Sequence, residues 1–171
     1  MVTLEKVLAA YQKYIDGRNA LLDELNLSQR SNRDPLSEFS EWLVAALVDG
    51  KLAESRVQKG WDVSTASDEK IQVKYLANPA DRWVNEHHIV INEYMTAYAL
   101  VLYEALLPTA VIIFPVTGLQ KVGMLLGKKH GNLETTIQFT RQNYHRIKDN
   151  PATFAGLGVR LYLAPDWKLQ E

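Results

Sequence analysis

The sequence predicts a mixed α/β fold. Apolar residues recur at helical spacing in the first part of the chain, and the period changes to two beyond Gly60. Stretches typical of strands and of helices then alternate to the end of the chain, as they do in α/β proteins. At 171 residues, without an internal repeat or a linker-like tract, the chain is expected to form one domain, residues 1–171.

Two helices are predicted before the change of period. Thr3 caps a run of apolar residues at helical spacing that continues toward Leu25. The polar stretch 26–35 is predicted to be a loop. A second helix is expected from Leu36 to Asp49, closed by Gly50. Its centre is apolar almost all round, which predicts burial on several sides.

A β-hairpin is predicted next, because the alternating stretches 61–64 and 70–75 are separated by a polar turn of five residues. The residues 93–106 leave a helix open as an alternative to a strand. The other predicted elements are strands at 88–91, 98–103, 109–114, 136–139 and 159–163, and helices at 118–129 and 141–148, the last capped by Thr140.

The composition limits the function classes. No apolar run reaches about 18 residues, so we expect no contact with a membrane interior. The absence of cysteine excludes disulfides and thiolate metal sites, and it fits a cytoplasmic protein. The formal net charge of −1 argues against a protein that coats nucleic acid by charge alone. Phosphate binding would therefore need local cationic clusters or a metal ion.

The predicted hairpin brings three polar side chains together. Because side chains alternate along a strand, Gln72 and Lys74 share one face, and Asp62 joins them when the apolar residues of both strands face the core. Opposed Cβ atoms lie roughly 5 Å apart, within reach of one divalent ion. Such a set suits metal-assisted phosphodiester hydrolysis. Asp62 would be the primary ligand, Gln72 and the Val73 carbonyl would complete the protein's share, and Lys74 would be the catalytic cation.

Asp62 followed by Ile71-Gln72-Val73-Lys74 resembles the PD-(D/E)XK nuclease superfamily, in the variant with glutamine for the second acid, as in Mrr-type restriction endonucleases. The resemblance implies a restriction endonuclease-like mixed central β-sheet flanked by helices, with an added N-terminal helix. It divides the chain into an extension at 1–30, a nuclease-like core at 36–116 and a C-terminal helix-strand elaboration at 117–171. The motif's proline is absent, and Gln72 leaves the site one acid short.

The resemblance also implies a further acid on the helix before the motif, which would be Glu41, with Glu38 one turn earlier as the alternative. Glu41 would then join the metal ligands and the catalytic set. The implied activity is that of a Mg²⁺- or Mn²⁺-dependent DNA endonuclease in restriction or defence, with a homodimer suited to cutting both strands. Two alternatives remain: a nuclease-like module that binds nucleic acid or protein without cutting, and a scaffolding domain based on the N-terminal helix.

Residues outside the hairpin are candidates for contacts with nucleic acid, since they are cationic or aromatic and lie in loops or at helix ends. They are Arg82, Trp83, His87, Lys128, Lys129 and Arg141. The alternative for each is structural, namely a loop fixed by a buried tryptophan and solvated faces of helices. A metal site formed by His87 and His88 is not expected, because adjacent residues on a strand point in opposite directions.

Overall fold

The computed structural model describes residues 3–24, 34–54, 60–78, 83, 86–128 and 135–170. The chain divides into two compact units, residues 1–35 and 36–171. The first unit contains one long helix, α1 (Leu4–Glu24), where the sequence predicts it. Most of the predicted loop 26–35 lies outside the described residues.

The second unit is mixed α/β, as the sequence predicts. Its strands, numbered in chain order, are β1 (Lys51–Leu52), β2 (Val63–Ser64), β3 (Lys70–Asn78), β4 (His87–Val90), β5 (Ala97–Glu104), β6 (Leu107–Pro115), β7 (Thr136–Phe139), β8 (Arg160–Leu163) and β9 (Lys168–Gln170). The helices are α2 (Pro35–Leu47), α3 (Leu119–Leu125), α4 (Arg141–Asp149) and α5 (Pro151–Ala155). No helix in the described ranges has the length and apolar character needed to cross a membrane.

Seven strands form one mixed sheet in the order β1-β2-β3-β5-β6-β8-β9. The pair β3 and β5 is parallel, and the other neighbouring pairs are antiparallel. The strands β4 and β7 pair with each other in a separate two-stranded sheet. Between β3 and β5 the chain forms β4 outside the large sheet. This long connection allows β5 to lie parallel to β3.

The helix α2 ends in a turn that differs in one residue from the expected one. Asp49, and not Gly50, adopts the left-handed conformation, with φ 50°. The Gly50 N–H donates to the Ala45 carbonyl at 2.8 Å, which closes a Schellman-type turn. Gly50 is instead required for space, because a Cβ there would lie 2.8 Å from a methyl group of Val63. The turn therefore presses the end of α2 against β2.

The two faces of the large sheet carry separate cores. On one face, Ile71 and Val73 of β3 pack with Val44 and Ala45 of α2. On the other face, Leu76 of β3 joins a cluster that includes residues of β4, β5, β7, α3 and α4. Gln72 and Lys74 have the parity of Leu76, so they lie on this second face.

Several predicted elements are confirmed. The hairpin forms with Val63 opposite Ile71, and the stretch 98–103 is a strand and not a helix. The predicted helix at 118–129 is shorter, since α3 reaches its C-cap at Leu126 and Gly127 follows with φ 79°. The sequence did not predict β1, α5 and β9, which have two, five and three residues and are too short to show a period.

Candidate functional site

Asp62 and Gln72 are in direct hydrogen-bond contact at the end of the hairpin. The strand β2 pairs with β3 through Val63 and Ser64. Next to these residues, the Asp62 side chain accepts a backbone hydrogen bond of β3 that a longer paired strand would otherwise accept. Its Oδ2 accepts a hydrogen bond from the Val73 N–H at 2.8 Å and another from the Gln72 amide. The Asp62 N–H donates to the Ile71 carbonyl at 2.9 Å. Asp62 is therefore fixed through both its backbone and its side chain.

The Gln72 amide turns its nitrogen, and not its oxygen, toward the Asp62 carboxylate. Its Nε2 donates to Asp62 Oδ2 and lies 3.4 Å from the carbonyl oxygen of Val73. The amide oxygen would have to turn toward this side if both side chains were to bind the same cation. The three predicted ligand groups are therefore adjacent, because the Gln72 amide nitrogen contacts both the Asp62 carboxylate and the Val73 carbonyl.

Lys74 lies two residues beyond Gln72 on the same face of β3, and its side chain is exposed. Burial lowers the pKa of the His87 imidazole on β4, and the charges of His88 and Lys74 add to the lowering. Lys74 shares its face of β3 with Gln72, the register partner of Tyr98, and the Tyr98 hydroxyl contacts His87, so Lys74 and His87 lie on the same side of the large sheet.

Tyr98 is buried beside Gln72 and His87, and the sequence did not predict its place there. It lies opposite Gln72 in the parallel register of β3 and β5, and only 3% of its surface is exposed. Its hydroxyl is 2.6 Å from Nε2 of His87. Burial raises the pKa of Tyr98 strongly, and the charge of Asp62 adds to the rise, so the hydroxyl keeps its proton.

Glu41 and Glu38 belong to α2 and are both buried, at 7% and 6% exposure. Each takes part in interactions within the fold. The helix packs on the face formed by Ile71 and Val73, whereas Lys74 lies on the opposite face. Any contribution of Glu41 to the site would therefore come from the other side of the sheet, past the short strand β2.

The remaining candidates lie in different surroundings. Trp83 is partly buried and stacks on Tyr144, with ring centroids 5.9 Å apart and an interplanar angle of 14°. Lys128 follows α3, where its backbone N–H donates to the Gly123 carbonyl at 3.0 Å. Arg141 is exposed in the first turn of α4. Arg82 and Lys129 lie outside the described residues.

Within the described ranges, no group of three or more histidine, aspartate or glutamate side chains is arranged to hold a metal ion. A cation at the hairpin would therefore rest on a mixed set, with the Asp62 carboxylate, the Gln72 amide oxygen and the Val73 carbonyl. All three are hard oxygen donors, the type that Mg²⁺ prefers.

The fold and the site define a class, a mixed α/β protein with a polar cluster at the end of a hairpin. In a comparison with known proteins, no protein-family model matches the chain, and no curated protein sequence matches it either.

Proposed function

We propose that this chain is a metal-dependent phosphodiesterase, a DNA endonuclease with the restriction endonuclease-like fold. The observation that carries the proposal is the cluster of Asp62, Gln72 and Lys74 at one hairpin end. The carboxylate contacts the amide directly, and the ammonium group lies two residues further along the same strand face. An acidic metal ligand beside a cation is a combination that suits metal-assisted phosphodiester hydrolysis.

The donor set fits a hard divalent cation. Asp62 would supply the charge, Gln72 and the Val73 carbonyl would supply neutral oxygens, and Glu41 is the further acid that the nuclease resemblance adds. When bound, Mg²⁺ or Mn²⁺ would polarise the phosphate and lower the pKa of a bound water. With one certain carboxylate in this set, we expect weak metal binding.

The chain's own residues have distinct tasks in this proposal. The Val73 N–H holds the Asp62 carboxylate in one orientation, so this ligand loses little freedom on binding, whereas the Gln72 amide has to turn its oxygen toward the cation. Lys74 places a positive charge where the phosphate gains negative charge in the transition state. DNA is the proposed substrate, and a homodimer would present two such sites to its two strands.

The test is nicking of a supercoiled plasmid in the presence of Mg²⁺ or Mn²⁺. We expect cleavage by the wild-type chain, none by Asp62→Asn, and a rate lowered about 10²-fold or more in Lys74→Ala. Asp62→Asn keeps an oxygen that can accept from the Val73 N–H, so it removes the charge without removing this hydrogen bond. Lys121→Ala, at an exposed position on α3, is the matched control and should cleave like the wild type.

Absence of cleavage by the folded wild-type chain, with either metal and on supercoiled, linear and single-stranded DNA, would rule out the DNA endonuclease. One observation favours a second candidate, a nuclease-like module that binds without cutting. Asp62 Oδ2 already accepts two hydrogen bonds, which could satisfy the carboxylate without a metal. That candidate predicts DNA binding without cleavage and Mn²⁺ binding that is equal in wild type and Asp62→Asn.

A further inference from the structure

The hydrogen bond between Tyr98 and His87 joins the large sheet to the two-stranded sheet beside the candidate site. Tyr98 lies on β5 and His87 on β4, and the two side chains meet with 2.6 Å between the hydroxyl oxygen and Nε2. Their ring centroids are 6.0 Å apart. The contact therefore holds the imidazole on the side of the large sheet where Lys74 also lies.

The direction of this hydrogen bond can be assigned from the burial of Tyr98. The hydroxyl keeps its proton, and the described residues offer it no other acceptor than His87. A buried hydroxyl without an acceptor would be costly, so Tyr98 donates to Nε2. In a neutral imidazole the proton then resides on Nδ1. The second nitrogen of His87 is thus a donor, and it suits an anion and not a metal ion.

Glu86, the acid next to His87 in the chain, has another partner. The Glu86 carboxylate accepts a hydrogen bond from Gln138. Gln138 lies on β7, opposite His88 of β4. Glu86 lies one residue before β4, and within the strand His88 points to the face opposite to that of His87. The face of β4 that carries His87 therefore presents a donor on the side of the large sheet where Lys74 also lies.

We propose that His87 and Lys74 together bind one phosphate group of nucleic acid, and that Tyr98 is the positioning residue that orients the imidazole. The inference rests on the proposed function, because it takes the substrate to be a phosphodiester chain. A phosphate between the two side chains would accept a hydrogen bond from Nδ1 and an ion pair from the ammonium group. It would also offset the repulsion that Lys74 exerts on a protonated His87.

The test is a double-mutant cycle on binding of a short DNA duplex in EDTA, followed by fluorescence anisotropy. We expect His87→Ala to weaken binding about tenfold and Tyr98→Phe about threefold. In the His87→Ala background, Tyr98→Phe should have no further effect, because the hydroxyl acts through the imidazole. His88→Ala, on the opposite face of the same strand, is the matched control and should bind like the wild type.

A second readout separates positioning from a general loss of structure. The ¹⁵N resonances of His87 should show the Nδ1–H tautomer in the wild type and a mixture of tautomers in Tyr98→Phe, while the backbone spectrum remains that of the folded chain. Wild-type affinity in His87→Ala, equal effects of Tyr98→Phe in both backgrounds, or no duplex binding by the wild type would each overturn the proposal. Since EDTA removes metal and cleavage, failure of the nuclease proposal would show in plasmid nicking and not here.

Discussion

Gln72 occupies the position where the nuclease resemblance expects a second acid, and its amide contacts the first acid directly. The same Asp62 oxygen accepts from this amide and from the Val73 N–H. An amide at position 72 can therefore stabilise the charged carboxylate without a cation, whereas a second carboxylate would repel it. With glutamine at position 72, a hydrogen bond stabilises the Asp62 carboxylate. With glutamate at this position, two neighbouring carboxylates would need a positive ion between them.

Gln72→Glu should make the site more dependent on metal. Without metal, we expect the free energy of unfolding to fall by about 1–2 kcal/mol, through the lost hydrogen bond and the added like charge. Mn²⁺ should bind about tenfold more tightly, because the added charge lies next to the cation. Calorimetric titration and melting temperatures with and without Mn²⁺ measure both effects. Gln120→Glu, exposed on α3, is the control, and unchanged Mn²⁺ affinity in Gln72→Glu would contradict a metal site here.

The sequence allowed the Asp62 and Gln72 pair to be predicted because both residues are close along the chain. Alternation sets the face of each side chain, and the short turn sets the register of the two strands. Tyr98 could not be predicted in the same way, since its place beside Gln72 depends on the parallel register of strands that are separated by β4. The sequence also could not show that Gln72 turns its amide nitrogen toward the carboxylate.

The start of α4 is held by one side chain that also contacts α3. Thr140 and Asn143 form a capping box, in which the Asn143 N–H donates to the Thr140 hydroxyl at 3.3 Å and the Thr140 N–H donates to Asn143 Oδ1 at 3.0 Å. Asn143 Nδ2 donates to the carbonyl of Leu126 at 3.3 Å. Because Asn143 is buried, loss of its side chain would leave a carbonyl group without this donor at the end of α3.

We expect Asn143→Ala to destabilise the chain more than Thr140→Ala. The loss of the Thr140 cap should cost about 1 kcal/mol. Asn143→Ala should cost about 2–3 kcal/mol, since it removes the cap partner and leaves a buried polar group unsatisfied. Urea unfolding followed by circular dichroism measures both values, and the exposed Gln142→Ala is the control. An Asn143→Ala cost equal to that of Thr140→Ala would show that the contact with Leu126 adds nothing.

At the scale of elements, the sequence was informative where a pattern was long or a cap was present. Thr140 marked the start of α4 correctly, but the contact of Asn143 with α3 has no sequence signal. The strand β5 lacks alternation because it is buried on both faces, which is why a helix over 93–106 stayed open. Its burial by clusters on both sides of the sheet is a tertiary property that the local pattern does not contain.

At the scale of the whole second unit, the sheet curls so that distant strands approach each other. Glu69 immediately precedes β3 and Arg160 begins β8, with β5 and β6 between them. In a flat sheet these strands would lie about 14 Å apart, and the two long side chains together with the curl of the sheet bring Arg160 Nη2 and Glu69 Oε1 to 2.6 Å. The strand order and this curl involve partners far apart in the chain, so hairpin patterns alone could not predict them.

The charge of the whole chain limits how it can hold DNA. With a net charge of −1, the protein lacks the excess of cations that sequence-independent coating requires. The described residues that we propose as phosphate contacts, Lys74, His87, Lys128 and Arg141, are few and lie on or beside separate elements. Binding should therefore depend on a small number of phosphates, with the hairpin site as the principal contact.

DNA binding by a protein with so few phosphate contacts should depend only shallowly on salt concentration. Each phosphate neutralised contributes about −0.9 to the slope of log K against log salt concentration, so two to four contacts give about −2 to −4. The slope can be measured with the short duplex in EDTA, where the metal does not contribute. Lys74→Ala should reduce its magnitude by about one, whereas Lys121→Ala should leave it unchanged. A slope of about −6 or steeper would mean that the protein holds DNA through a broad basic surface, and the hairpin would then not be the principal contact.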